Sequence, residues 1–178
     1  FPHARIGKID SSRALKVPGV IAVFTGQDLS EDTGLITTAV GRPEVRTATR
    51  RALPLDKARH VGDPVAVVIG RSRYSAEDGV DAVEVDWDPL PAISDPEESL
   101  RPSAIRIDEN LEDNNIAHIE GGAGDIDLAF SKATHTFKKR FIAGRTAGAP
   151  LEPRGVIAKY EASSNRLVVW CSSQCPHL

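Results

Sequence analysis

Arg59-His60-Val61-Gly62-Asp63-Pro64-Val65-Ala66-Val67-Val68-Ile69 is followed by a helical pattern from Ser72 and then by Val83-Glu84-Val85-Asp86-Trp87-Asp88-Pro89-Leu90-Pro91. This order decides the fold. Pro64 to Ile69 is a continuous β-branched and apolar run of the kind expected for a strand buried on both faces. Ser72 has the chemistry to cap a helix to about Val83, with Tyr74, Ala76, Val80 and Val83 on one face and Glu77, Asp78 and Asp81 on the other. Alternation resumes from Val83 to Trp87. The stretch therefore predicts a strand-helix-strand unit, which favours parallel pairing through a right-handed crossover. Gly62-Asp63-Pro64 has neither the Gly-rich spacing nor the following helix that phosphate binding requires, so it reads as a turn.

Upstream, Ala4 to Ile9 alternates as a strand, and Asp10-Ser11-Ser12 offers N-cap chemistry for a short helix, Arg13 to Lys16. Pro18-Gly19 turns the chain into a strand from Val20 to Thr25, and Gly26 to Leu29 reads as a single turn. Between Ser30 and Leu53 no period is sustained: Gly34, Gly41 and Pro43 interrupt it, and Arg42, Arg46, Arg50 and Arg51 punctuate it. An exposed loop with solvated charges is expected there, with a basic recognition patch as the sharper alternative.

Downstream, Asp95 to Leu100 predicts one helical turn. Composition then shifts to Asn, Asp, Glu and Gly between Arg101 and Gly124, marking a domain boundary. Asp125 caps a helix to about Lys132, and Thr134 to Ile142 alternates into a predicted strand. Val156 to Tyr160 and Leu167 to Trp170, separated by Ser163-Ser164-Asn165, predict a hairpin.

The 178 residues hold one ordinary domain, or a small domain and part of another. Basic residues number 22 against 25 acidic ones, without aromatic interleaving, which argues against a nucleic-acid binder. No apolar run approaches the ~20 residues of a membrane span. There is no methionine, so the sequence is expected to be processed, excised or incompletely recorded, and it carries no reading on a leader peptide. Cys171 and Cys175 are expected to be reduced, lacking the second half of a metal-ligand pattern beyond His177. The scattered His3, His60, His118, His135 and His177 suggest core or surface roles.

The run Pro150-Leu151-Glu152-Pro153-Arg154-Gly155, then a hairpin, then Trp170-Cys171-Ser172-Ser173-Gln174-Cys175-Pro176-His177, resembles the large subunit of the molybdenum hydroxylases. That family includes xanthine dehydrogenase, aldehyde oxidase and aerobic carbon monoxide dehydrogenase. The Arg59 to Pro91 block and the opening from His3 to Leu29 resemble its α/β hammerhead domain. The resemblance covers nearly the whole chain and omits the stretch between about Ser30 and Leu53.

The resemblance implies an α+β fold. A hammerhead domain over 1–100 and a linker over 101–117 would precede the β-rich start of a molybdopterin-binding domain over 118–178. It also implies a molybdenum-molybdopterin cofactor in the complete protein and partner subunits or domains carrying 2Fe-2S clusters and FAD. The implied reaction is hydroxylation of an aldehyde, heterocycle, purine or CO with oxygen from water. The cytoplasm is the expected compartment. A non-catalytic module that docks on a redox partner is the alternative, and a thiol enzyme using Cys171 or Cys175 with His177 is a third.

Gln174 is the candidate cofactor-binding residue. A carboxamide can hydrogen-bond an oxygen ligand without competing for the metal, and the resemblance implies that Gln174 approaches the apical molybdenum ligand. Glu152, held between Leu151 and Pro153 close to Pro150, reads as a carboxylate fixed in direction and paired with Arg154 or backbone amides. The Gly-Gly-Gly-Phe-Gly loop and late Glu base of the family are not present. The chain alone is therefore expected to be inert, with no catalytic residue of its own.

Overall fold

The structure, a computed structural model, describes residues 1–37, 42–46, 48–144, 146 and 148–173. Contacts divide it into two compact units, Phe1–Glu120 and Gly121–Leu178. Helices and strands mix as an α+β fold.

Strand β1 (Ala4–Asp10) is central in a three-stranded antiparallel sheet, between β5 (Lys57–Ala58) and β7 (Glu84–Pro89). Its register sets Ala4 opposite both Ala58 and Pro89, and the pairing with β7 is irregular between Ile6 and Ile9. Strand β2 (Val20–Thr25) pairs antiparallel with β6 (Ala66–Gly70). Strands β3 (Ile36–Thr37) and β4 (Thr49–Arg50) form a small antiparallel pair, so the stretch expected to be only a loop contains a ladder. It also contains the buried Leu53.

Helix α1 (Arg73–Asp81) begins at Ser72 as the sequence predicts. The Ser72 hydroxyl accepts from the Ser75 amide at 3.2 Å, and the Ser75 hydroxyl accepts from the Ser72 amide at 3.1 Å. This reciprocal pair satisfies two of the amides left over at a helix start. The buried face differs from the expected one: Ser75 and Gly79 are buried, whereas Tyr74 and Val80 are exposed. Close approach explains the choice. A Cβ on Gly79 would lie 2.7 Å from Val20 Cγ2 and 2.8 Å from Val68 Cγ1, and one on Gly70 would lie 2.7 Å from the Ala76 nitrogen. Only small residues let the helix sit this near the β2–β6 pair.

Two further expectations are corrected. β6 and β7 are not parallel neighbours, because β6 hydrogen-bonds to β2 and β7 to β1, and α1 carries the chain from one sheet to the other. Nor is β6 buried on both faces: Val67 and Ile69 are exposed while alternate positions are half-buried, the pattern of a strand with one covered face. Pro64 lies outside the strand, consistent with its missing N–H. The turn near Arg13 also departs from the prediction. Asp10 Oδ1 accepts from the Ser12 amide at 2.9 Å, and the following turn, Ala14–Lys16, is a 3-10 helix without a side-chain cap.

Helix α2 (Pro96–Ser99) is capped by Asp95, which accepts from the Glu97 amide at 2.8 Å. In the second unit, α3 (Ile126–Lys132) is capped by Asp125 through the Leu128 amide at 2.8 Å. Thr134 to Ile142 forms no strand, since it joins no ladder among the described residues, and Phe137, Phe141 and Ile142 stand exposed. Alternation gives a strand its faces, but a strand exists only when another pairs with it. Strands β8 (Val156–Glu161) and β9 (Arg166–Cys171) form the predicted hairpin in unbroken register from Val156 opposite Cys171 to Glu161 opposite Arg166. Asn165 takes positive φ in the turn and its side chain accepts from Tyr160 Oη at 2.7 Å. Among the described residues no helix is long and apolar enough to cross a membrane.

Candidate functional site

The open end of the β8–β9 hairpin is where the sequence places its chemistry. Ser172, one residue beyond β9, ties the two chain segments together. Its hydroxyl accepts from the Gly155 amide at 2.8 Å and has the Pro153 carbonyl at 3.2 Å and the Gly155 carbonyl at 3.3 Å as acceptors. Its amide donates to the Gly155 carbonyl at 3.1 Å, and the Ser173 amide donates to the Cys171 carbonyl at 3.1 Å. The departure of the chain from β9 is thereby defined by main-chain and hydroxyl bonds.

A cleft of about 440 Å³ lies here, lined by Glu152, Pro153, Val156, Trp170 and Ser172 among others. Its polar groups are neutral except for Glu152. Among the described residues Glu152 forms no ion pair, so the expected partnership with Arg154 is not made. Cys171 is a free, exposed thiol. Among the described residues no group of three His, Cys, Asp or Glu is placed to hold a metal ion. Gln174, Cys175 and His177 lie outside the described residues.

Sequence reasoning missed Ser172, whose role rests on a cross-strand contact that only the register reveals. It also missed Lys57, which is almost fully buried. Lys57 Nζ donates to the Ile107 carbonyl at 3.0 Å and is ion-paired with Glu109. The Lys57 hydrogen bond holds the Glu109 carboxyl below its usual range. Of the arginines in the irregular stretch, Arg46 pairs with Asp113 at 2.7 Å and Arg51 donates to the Ser30 carbonyl at 3.1 Å. Those two are structural rather than merely solvated.

The first unit thus carries three antiparallel sheets and a capped helix, and the second a hairpin whose sequence runs on to Gln174. Residues 1–91 match the family model described as the aldehyde oxidase and xanthine dehydrogenase a/b hammerhead domain. Residues 107–178 match that of the molybdopterin cofactor-binding domain.

The chain belongs to the aldehyde oxidase and xanthine dehydrogenase family. It is 36% identical over 175 residues to the nicotine 6-hydroxylase large subunit of Paenarthrobacter nicotinovorans, covering 98% of this chain and 21% of that protein. It is 32% identical over 189 residues to the carbon monoxide dehydrogenase large chain of Afipia carboxidovorans, covering 99% and 23%. Among solved structures, quinoline 2-oxidoreductase from Pseudomonas putida superposes with a TM-score of 0.85 at 30% identity, covering 97% of this chain and 22% of that one. The chain therefore spans about a fifth of the length of the relatives it matches.

Proposed function

We propose that the chain is part of the molybdopterin-binding subunit of a molybdenum hydroxylase acting on an aldehyde, heterocycle, purine or CO with oxygen from water. The observation that carries this reading is the Ser172-pinned end of β9, two residues before Gln174, in a segment that matches a molybdopterin cofactor-binding domain. The chemistry of the segment fits such a group, because the Gln174 carboxamide is neutral and can donate hydrogen bonds without supplanting a ligand. When bound, the cofactor supplies the redox chemistry. The part of this chain is to orient. Ser172 fixes the exit of β9, and Gln174 would be the residue that holds the cofactor, through hydrogen bonds donated by its carboxamide.

The hammerhead domain is taken as 1–100 and the start of the cofactor-binding domain as 118–178, with 101–117 joining them. Partners carrying 2Fe-2S clusters and FAD would remove electrons, in the cytoplasm. The isolated chain would be inert, because the base of the family is supplied by a later segment.

Gln174→Ala in the full-length polypeptide, assembled with its partners, should lower kcat by roughly 10- to 100-fold while pterin content stays unchanged. Unchanged turnover would remove Gln174 from the site. Stoichiometric molybdenum retained by the 178-residue chain, read by elemental analysis, would refute its inertness. The second reading takes the first unit, which contains every buried residue described, as a non-catalytic module that docks on a redox partner. Retention of a redox partner by the chain without any effect of Gln174→Ala would support that reading.

A further inference from the structure

We propose that residues 99–117 form a strap clamped to the first unit by Lys57, and that the flexible joint of the chain lies beyond it, at Gly121 to Gly124. The composition of this stretch is that of a linker, but its bonds are not. Lys57 is buried, and its only acceptors among the described residues are the Ile107 carbonyl and the Glu109 carboxylate, both on the strap. If the strap left, the Lys57 ammonium would lose both of these acceptors, a charge-assisted hydrogen bond among them, and that loss holds the strap in place. Arg59 Nη2 lies 3.8 Å from the other Glu109 oxygen and reinforces the contact.

The strap is also folded on itself. Asn114 uses both ends of its amide: Oδ1 accepts from the Ile107 amide at 3.0 Å, while Nδ2 donates to the carbonyls of Ile105 at 2.8 Å and Ser99 at 3.2 Å. Its far end is fastened separately. The Arg46 amide donates to the Ile116 carbonyl at 2.8 Å, its guanidinium pairs with Asp113, and Val45 bridges to Ala117.

Just after this last fastening the character changes. Gly121 and Gly124 have no neighbour within 4 Å of a built Cβ, and Gly124 has a φ of +75°. Gly122 meets only Ile126 Cδ1, at 3.9 Å, so three glycines in four residues form a segment with little resistance to rotation. The chain thus leaves the first unit from a fixed point beside Val45 instead of from a loose tether starting at Arg101.

A glutamate-specific protease tests this, because Glu109 and Glu112 lie on the strap and Glu120 lies at the joint. In the 178-residue chain, cleavage after Glu120 should precede cleavage after Glu109 and Glu112 by at least about 10-fold, since cutting requires local opening. Lys57→Met should raise strap cleavage while leaving the Glu120 rate unchanged. Equal rates at the three sites in the unaltered chain would overturn the proposal. Amide exchange in the unaltered chain decides the matter even if Lys57→Met fails to fold. The Ile107 and Arg46 amides should exchange slowly and those of Gly121 to Gly124 fast, and fast exchange at Ile107 and Arg46 would refute the strap.

Discussion

The unit from Phe1 to Glu120 and the unit from Gly121 onward use the same ingredients, antiparallel strands and short capped helices, yet among the described residues only the first encloses side chains. Ala4, Ala14, Leu53 and Ala58 are buried there together with the polar His3, Lys57 and Ser75. In the second unit no described residue is buried, and Phe137 remains 92% exposed. The β8–β9 hairpin satisfies its own ladder as well as any pair in the first unit does. A hairpin can therefore close its hydrogen bonds without gaining a core, because burial needs a second layer.

The largest expected effect separates the two units most sharply. Gly79→Val should destabilise the first unit by roughly 3 kcal/mol, because the added methyls enter the space of Val20 and Val68 and overpacking cannot relax there. The urea midpoint of the chain should fall accordingly, and an unchanged midpoint would show that α1 does not press on β2 and β6. Removing the helix cap with Ser72→Ala should cost about 1 kcal/mol in the same assay.

Acid gives a smaller effect with a defined sign. Glu109, Asp10 and Asp28 are all held below their ordinary range, first by hydrogen bonds from Lys57, Lys8 and the Thr25 amide respectively. A depressed carboxyl contributes stability above its unfolded pKa and loses it as pH falls through the folded value. All three lie in the first unit, so its midpoint should decline below about pH 4, and Glu109→Gln should flatten part of that decline. A midpoint independent of pH in this range would show the carboxylates to be unpaired in solution. The smallest effect belongs to the second unit: Trp170→Ala should shift the urea midpoint of the first unit by less than about 0.5 kcal/mol equivalent. A larger shift would show that the hairpin contributes to that core.

Much of the local structure was legible. The caps at Ser72 and Asp125, the helical turn after Asp95, the hairpin around Asn165 and the strands from Ala4 and Val20 all depend on residues close in sequence. The pairing partners of β6 and β7 were not, since the apolar run at Pro64 to Ile69 suits a parallel or an antiparallel neighbour equally. Thr134 to Ile142 shows the converse, an alternating pattern that joins no ladder among the described residues. At the candidate site the Glu152 and Ser172 positions were visible in the sequence. The empty partnership of Glu152 and the cross-strand bonds of Ser172 were not, because each depends on where a second segment lies.

The sequence by itself determined the helix starts at Ser72 and Asp125, the hairpin turn, and the motif ending in Gln174. These follow from backbone preferences and hydrogen bonds over a few residues. Only the tertiary structure decided that β1 is central between β5 and β7, that α1 buries Ser75 and Gly79, and that Lys57 is buried against Glu109 some fifty positions along the chain. Such choices depend on which distant surfaces exclude water together, and no local pattern encodes them.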